Sequence, residues 1–247
     1  MDDGRIHYRL DLLVRVMDAT TGRPVEDSSI RFYKDDKLVS VFGRGEGCYI
    51  FLNSGRENHL MRIEVYGFES RTMAVDYEKL EPQLPSVDVF LIPSEKIRRG
   101  AELRILRGRL SGLETVEALH PGRFATSIRE FDAKKRIMTV FSPNRRVDLT
   151  RQYYGLLHAD RSTFEVLDIK EEISDNKVRL RTPIQEEFSP NAPLCNMVFG
   201  QVEDDGSYML AVRDDGKDLT YLVKYIVNGE KKFKKIDFHN LEGVELD

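Results

Sequence analysis

Apolar and polar residues along this chain alternate mostly with a period of two, the period of a strand with one buried face. Leu10, Leu12, Val14 and Val16 share one face of the first run and Arg9, Asp11 and Arg15 the other, with Leu13 breaking the alternation. A turn follows over 18–24, where Gly22 accepts a positive φ and Pro24 fixes φ for the next extended run. Ile30 and Phe32 then form a hairpin with Leu38, Val39 and Val41 around the polar tip Lys34-Asp35-Asp36-Lys37. Gly43, Gly45 and Gly47 turn the chain into the apolar run 48–52. Leu60, Arg62, Glu64 and Tyr66 alternate against Met61, Ile63 and Val65. Gly67 to Ser70 make a corner before the run 71–75, and Pro93 closes a last strand over 87–92. Short, evenly spaced strands with no helical period between them predict a β-sandwich over residues 1–93.

The charged connector 94–101, set between Pro93 and a run opening after Gly100, marks a domain boundary, and the pattern over 102–247 stays β. Extended runs at 103–110 and 115–119 lead to an expected turn at His120-Pro121-Gly122. The alternating run 124–131 joins 136–141 through the tip Asp132-Ala133-Lys134-Lys135, and Ser142 to Arg146 break the chain. A further hairpin pairs 164–173 with 177–182 around Ser174-Asp175-Asn176, and the acidic stretch 186–193 is the longest expected loop. Runs at 197–202, 208–212 and 219–227 are joined by Asp204-Asp205-Gly206 and Asp214-Asp215-Gly216. The last hairpin turns at Asn228-Gly229, the strongest type I′ signal in the chain, and returns along 232–238. Helical turns are expected only near 77–80 and 149–153. No internal repeat calls for a propeller or solenoid, so the fold class is all-β, a sandwich followed by a second barrel or sandwich domain.

The totals narrow the function classes. A length of 247 residues suits one large or two ordinary domains, and 40% hydrophobic content suffices for a core. A formal net charge of -4 supplies no global field toward nucleic acid or anionic lipid. No run approaches the ~20 apolar residues of a membrane span. The acidic start Met1-Asp2-Asp3 has no signal-peptide pattern. Cys48 and Cys195 fall in different expected domains and lack metal-ligand spacing. The expectation is a cytoplasmic protein with reduced thiols, no membrane span and no nucleic-acid partner.

Three stretches of the first domain carry a resemblance. The turn and strand RVMDATTGRPVEDSSIRFYKDD, the strand GEGCYIFL and the strand LMRIEVYGFESRTMAV resemble the carboxypeptidase regulatory-like, or transthyretin-like, β-sandwich over residues 8–93, about a third of the chain. The resemblance implies a structural or adhesive module, often appended to other machinery. One enzymatic branch of that family hydrolyses a purine-catabolism intermediate and ends in a characteristic tetrapeptide. That tetrapeptide is absent here, and His7 and His59 do not match the catalytic pair, so the resemblance carries a fold and not an activity.

Catalytic chemistry is thin. Gly43 to Gly47 lack the following helix and Lys-Ser/Thr of a phosphate loop, and read as a hairpin turn. The two Asp-Asp-Gly stretches resemble fragments of calcium loops without the closing Glu; they read as turns, with weak calcium binding as the other option. Cys48 and Cys195 sit among apolar residues and read as core, and the five histidines are scattered without metal spacing. No cofactor or metal is expected.

The features that point outward are basic. Lys96, Arg98, Arg99, Arg104, Arg107 and Arg109 cluster in an acidic chain, either as a solvated linker followed by the outward face of a strand or as an anion-binding or partner-docking strip. Tyr153 and Tyr154, flanked by Arg146 and Arg151, offer either a stacking surface or one core ring beside one exposed ring. The candidate partner-binding residues are therefore Arg98, Arg99, Arg104, Arg107, Arg146, Arg151, Tyr153 and Tyr154. The expected role is a non-enzymatic structural or adaptor protein docking on protein partners. Analogy of architecture extends this to an accessory part of a large, phage-tail-like bacterial assembly. The alternative is a carbohydrate- or small-ligand-binding module, against which the lack of Trp counts.

Overall fold

A computed structural model describes residues 8–94, 102–141, 153–185 and 188–247. Nearly everything described is strand or turn. The one helical element among the described residues is a 3-10 turn at Tyr77–Lys79, capped by Asp76, whose side chain accepts the Glu78 N–H at 3.1 Å. The other expected helical turn lies mostly outside the described residues, and Tyr153 itself begins a strand. By its contacts the chain divides into two compact units, Met1–Asp18 with Pro24–Arg98, and Ala19–Arg23 with Arg99–Asp247.

The first unit holds β1 (Leu10–Asp18), β2 (Arg31–Lys34), β3 (Lys37–Val39), β4 (Phe42–Gly43), β5 (Cys48–Leu52), β6 (His59–Glu64), β7 (Arg71–Val75) and β8 (Ser86–Leu91). They form two four-stranded sheets, in the orders β4-β5-β1-β8 and β3-β2-β6-β7. The sheets share one core: Leu12, Val14, Val16, Phe51 and Leu91 from the first meet Phe32, Met61, Ile63 and Val75 from the second. That packing makes the unit a β-sandwich, with apolar period-two residues inside. The Lys34–Lys37 hairpin turns through Asp35 and Asp36, at φ 47° and 62°, the two left-handed positions of a type I′ turn.

One residue of β1 departs from its expected place. Asp11 belongs to the polar phase, yet it is fully buried. A register shift between Leu10 and Leu12 turns it inward, where Arg9 Nε donates to it at 2.6 Å and the Gly55 N–H at 2.9 Å, with Arg56 Nε 3.7 Å away. Burial pushes its carboxyl up, but the bonds from Arg9 and Gly55 outweigh that and hold it below the usual carboxylate range.

The second unit holds β9 (Glu102–Arg109), β10 (Leu113–Asp132), β11 (Ile137–Val140), β12 (Tyr153–Leu157), β13 (Phe164–Ser174), β14 (Lys177–Leu180), β15 (Pro193–Phe199), β16 (Gln201–Val202), β17 (Ser207–Asp214), β18 (Thr220–Val227) and β19 (Glu230–Asp237). Strands β10, β11, β14, β13, β12 and β15 pair antiparallel in a ring, because β11 bonds to both β14 and β10. The ring is a closed barrel filled by Ile128, Met138, Tyr154, Leu156, Leu167, Val178 and Leu194. The first half of β10 runs on beyond it to pair with β18, which pairs with β19. This extension faces a second sheet, β16-β17-β9, over a separate core that includes Leu106, Val116, Leu210, Val223 and Phe238. Barrel and sandwich thus both occur, sharing β10 and β15.

The turn expected at His120-Pro121-Gly122 is a bulge inside the twenty-residue β10. Between the pairs Leu119–Met197 and Phe124–Cys195, β10 advances five residues while β15 advances two. The extra backbone is satisfied locally: the Gly122 N–H donates to His120 Nδ1 at 3.1 Å, which places the imidazole proton on Nε2, 2.9 Å from the Asp218 carbonyl. Where β12 pairs with β15, Gly155 leaves room for two core side chains; a Cβ there would lie 2.4 Å from Leu119 Cδ2 and 2.7 Å from Met197 Sδ. Gly155→Val is therefore expected to lower stability by about 1–3 kcal/mol through overpacking, read as a lower midpoint in urea unfolding.

Candidate docking surfaces

Of the basic strip, Arg104, Arg107 and Arg109 fall among the described residues, and the fold neutralises two of these three. Strand β9 pairs antiparallel with β17, so the two acidic turns that flank β17 fall at opposite ends of β9. At one end Arg104 Nε donates to Asp214 at 2.9 Å; at the other Arg109 stands 3.2 Å from the Asp205 carboxylate and donates to its carbonyl at 3.0 Å. Arg107, between them and opposite Met209, is exposed and makes no ion pair among the described residues. Arg98, Arg99, Arg146 and Arg151 lie outside the described residues. Tyr154 is fully buried in the barrel core and cannot belong to a stacking surface, because its strand turns that ring inward. Tyr153, one residue along, is half-buried with its ring 5.4 Å from that of Phe199.

The same pairing settles the acidic turns. Asp205 accepts the Ser207 N–H and Asp214 the Gly216 N–H, both at 2.9 Å, as residues that start turns do. Arg123 grips Asp215 with both terminal nitrogens, at 3.0 and 2.9 Å, and donates to the Asp218 carbonyl at 2.6 Å. All four carboxyls are held below the usual range. The Ser207 N–H does this for Asp205 and the Gly216 N–H followed by Arg104 for Asp214. Burial pushes Asp215 up but Arg123 outweighs it, and Thr220 lowers Asp218. Among the described residues no cluster of His, Cys, Asp and Glu is arranged to hold a metal ion.

Nucleophilic candidates fare similarly. Cys195 is fully buried, and burial pushes its thiol up to about 12, far from the thiolate chemistry of a nucleophile. Cys48 is half-buried in β5 and borders an open cleft of about 420 Å³ lined by Glu26, Asp27, Ser28, Ile30 and Tyr49, with no histidine beside the thiol. Neither cysteine is in a disulfide. No helix among the described residues is long and apolar enough to cross a membrane.

The most distinctive surface is the outward face of the β3-β2-β6-β7 sheet. Register places Leu38 opposite Tyr33, Tyr33 opposite Arg62, and Arg62 opposite Thr72, with Leu60 beside Ala74 two residues along. The Arg62 guanidinium lies 3.9 Å from the centre of the Tyr33 ring, pairs with Glu64, and stands 3.5 Å from Asp36. Tyr33 Oη donates to Glu64 at 3.1 Å. The two leucines flank this stack, Leu38 65% and Leu60 56% exposed. Sequence reasoning noted both but gave neither a role. The signal was in the alternation, since Leu60 shares the polar phase of Arg62 and Glu64. Comparison with known proteins found no matching family model, no similar curated protein and no similar solved structure.

Two outcomes are expected of the acidic turns. Calcium added to about 1 mM leaves the melting temperature unchanged, because protein donors already occupy the carboxylates; a rise would restore the calcium-loop reading. Asp205, Asp214, Asp215 and Asp218 have depressed folded pKa values, so their contribution is complete above the unfolded carboxylate value of ~3.9 and is lost as pH falls below it. A melting series from pH 6 to pH 2.5 is expected to fall in that window, and less steeply in Asp215→Asn.

Proposed function

We propose that this chain is a non-enzymatic docking protein, a structural or adaptor component that binds protein partners through the outward face of the β3-β2-β6-β7 sheet. The observation that carries this reading is the pair Leu38 and Leu60, both more than half exposed, on either side of the Tyr33–Arg62 stack. Single exposed leucines are ordinary, but two on one sheet face beside an ordered Tyr and Arg have the make-up of an interface hot spot. Arg62 is held by the Tyr33 ring, Glu64 and Asp36, so a partner meets it in place and little rotamer freedom remains to be lost. The resemblance of residues 8–93 to transthyretin-like sandwiches supports an appended module of this kind, and an accessory place in a large bacterial assembly is part of the same reading.

A second reading, small-ligand binding, is favoured by the cleft beside Cys48, where the carboxyls of Glu26 and Asp27 meet the apolar walls of Ile30, Val41 and Tyr49. A cationic ligand fits that lining.

Leu38→Glu with Leu60→Glu is expected to leave the fold intact, surface changes of this kind costing within about 0.5 kcal/mol each. The same double variant is expected to weaken partner binding by about 2 kcal/mol or more, roughly 30-fold. Tagged wild type and variant, recovered from native cells and compared by quantitative mass spectrometry, decide it. Partners lost only from the variant support the face; equal recovery sinks it. Wild type recovered alone moves the weight to the cleft.

A further inference from the structure

Residues 241–247 belong to no strand, yet Leu246 is buried in the core between β17 and β18–β19. The seat that receives it is made of side chains. Tyr208 Oη accepts the Leu246 N–H at 3.1 Å, and Tyr225 Oη donates to the Asp247 carbonyl at 2.6 Å. Lys234 Nζ donates to the Glu245 carbonyl at 2.6 Å and to the Asp247 carboxylate at 2.5 Å, and Lys232 Nζ reaches the Asp247 carbonyl at 3.3 Å. Among the described residues, the backbone–backbone bond of this segment is the internal one from Val244 N–H to the Leu241 carbonyl. Release of the segment would therefore break no sheet rung, only side-chain bonds and the burial of Leu246.

Its sequence and its seat are matched. The backbone carbonyls of Glu245 and Asp247 and the Asp247 carboxylate meet Lys232 and Lys234, which share a face of β19 with the buried Ile236, while Leu246 fills the apolar hole. Gly243, at φ 69° with open space where a Cβ would stand, turns the segment through the left-handed region. One apolar anchor between two acids is thus met by two tyrosine hydroxyls and two lysines.

We propose that the seat of Leu246 recognises an extended segment of Glu-Leu-Asp chemistry, filled here in cis, and that its occupant in trans is the same segment of a second copy of this chain. Complementarity to this sequence is already present, and reciprocal exchange re-forms each bond at no cost in contacts, which makes exchange an inexpensive route to a dimer. The seat lies in the second unit and the Leu38–Leu60 face in the first, so either reading stands if the other fails.

The probe is a fluorescein-labelled, amidated peptide of residues 240–247, titrated with the full chain and followed by anisotropy. Wild type is expected to bind it weakly, since its own segment competes. Full-chain Leu246→Ser, which no longer fills its own seat, is expected to bind at least about 10-fold more tightly, and the peptide carrying Leu246→Ser not at all. Sedimentation equilibrium is expected to show a concentration-dependent dimer in wild type that Leu246→Ser loses. A folded Leu246→Ser chain that ignores the peptide overturns the seat. Peptide binding with wild type monomeric throughout overturns the second copy as its occupant. Should Leu246→Ser not fold, hydrogen exchange of wild type decides. Exchange of the Leu246 N–H at least about 100-fold faster than the β18 amides supports a detachable segment, and equal rates overturn it.

Discussion

Strand β10 is hydrogen-bonded on both edges along two stretches, and the stretches face different cores. Val116 and Ala118 pack into the sandwich core and Ile128 into the barrel. A regular strand of twenty residues holds one twist and one bend, whereas closing a barrel needs a tilt that an adjoining open sheet does not share. The bulge at 120–123 supplies the change of direction, and it leaves backbone groups without ladder partners. The Gly122 N–H turns to His120 within the bulge, and the bulge's side chains are tied to the loop between β17 and β18, through His120 to the Asp218 carbonyl and Arg123 to Asp215. The acidic loop is thus a clamp on the bulge, and its charge has a structural cause.

The same logic disposes of the arginines on β9. Read along the chain, Arg104, Arg107 and Arg109 are like charges in need of an external anion. Read across the sheet, antiparallel pairing with β17 brings an acidic turn to each end, and two of the three are matched within the unit. A pairing of this kind spans 110 residues of sequence for Arg104 and Asp214, which is why local charge patterning misses it. Exposed pairs of this type add little stability each, but they blunt the edge of β9 against unwanted strand addition.

What could be read from the residues was whatever depends on near neighbours. Alternation placed Leu12, Val14 and Val16 inside, and Asn228-Gly229 turned the last hairpin with both residues at positive φ, 50° and 78°. What could not be read depends on register. His120-Pro121-Gly122 has turn composition, yet partners on both sides keep it within a strand. Asp11 has the polar phase of an exposed residue, yet one bulge turns it inward to Arg9 and Gly55. Tyr153 and Tyr154 are indistinguishable as residues, and only the direction of β12 decides which ring enters the core. The surface leucines are the mirror case: Leu60 has a core side chain in a solvent phase, and a bare count of apolar residues hides it.

These corrections share a direction. Clusters of like charge draw attention in a sequence because folding has to neutralise them, and in this chain, among the described residues, it mostly does so with its own opposite charges. Residues that remain available to a partner are then those whose character contradicts their phase, an apolar side chain facing water or a segment held by side chains where a strand would be held by its backbone. Leu38 and Leu60 are of the first kind and residues 241–247 of the second. Offering either outward breaks no hydrogen-bond ladder, although the second also withdraws Leu246 from the core. That condition lets a protein keep a rigid scaffold while presenting a surface that can exchange one neighbour for another.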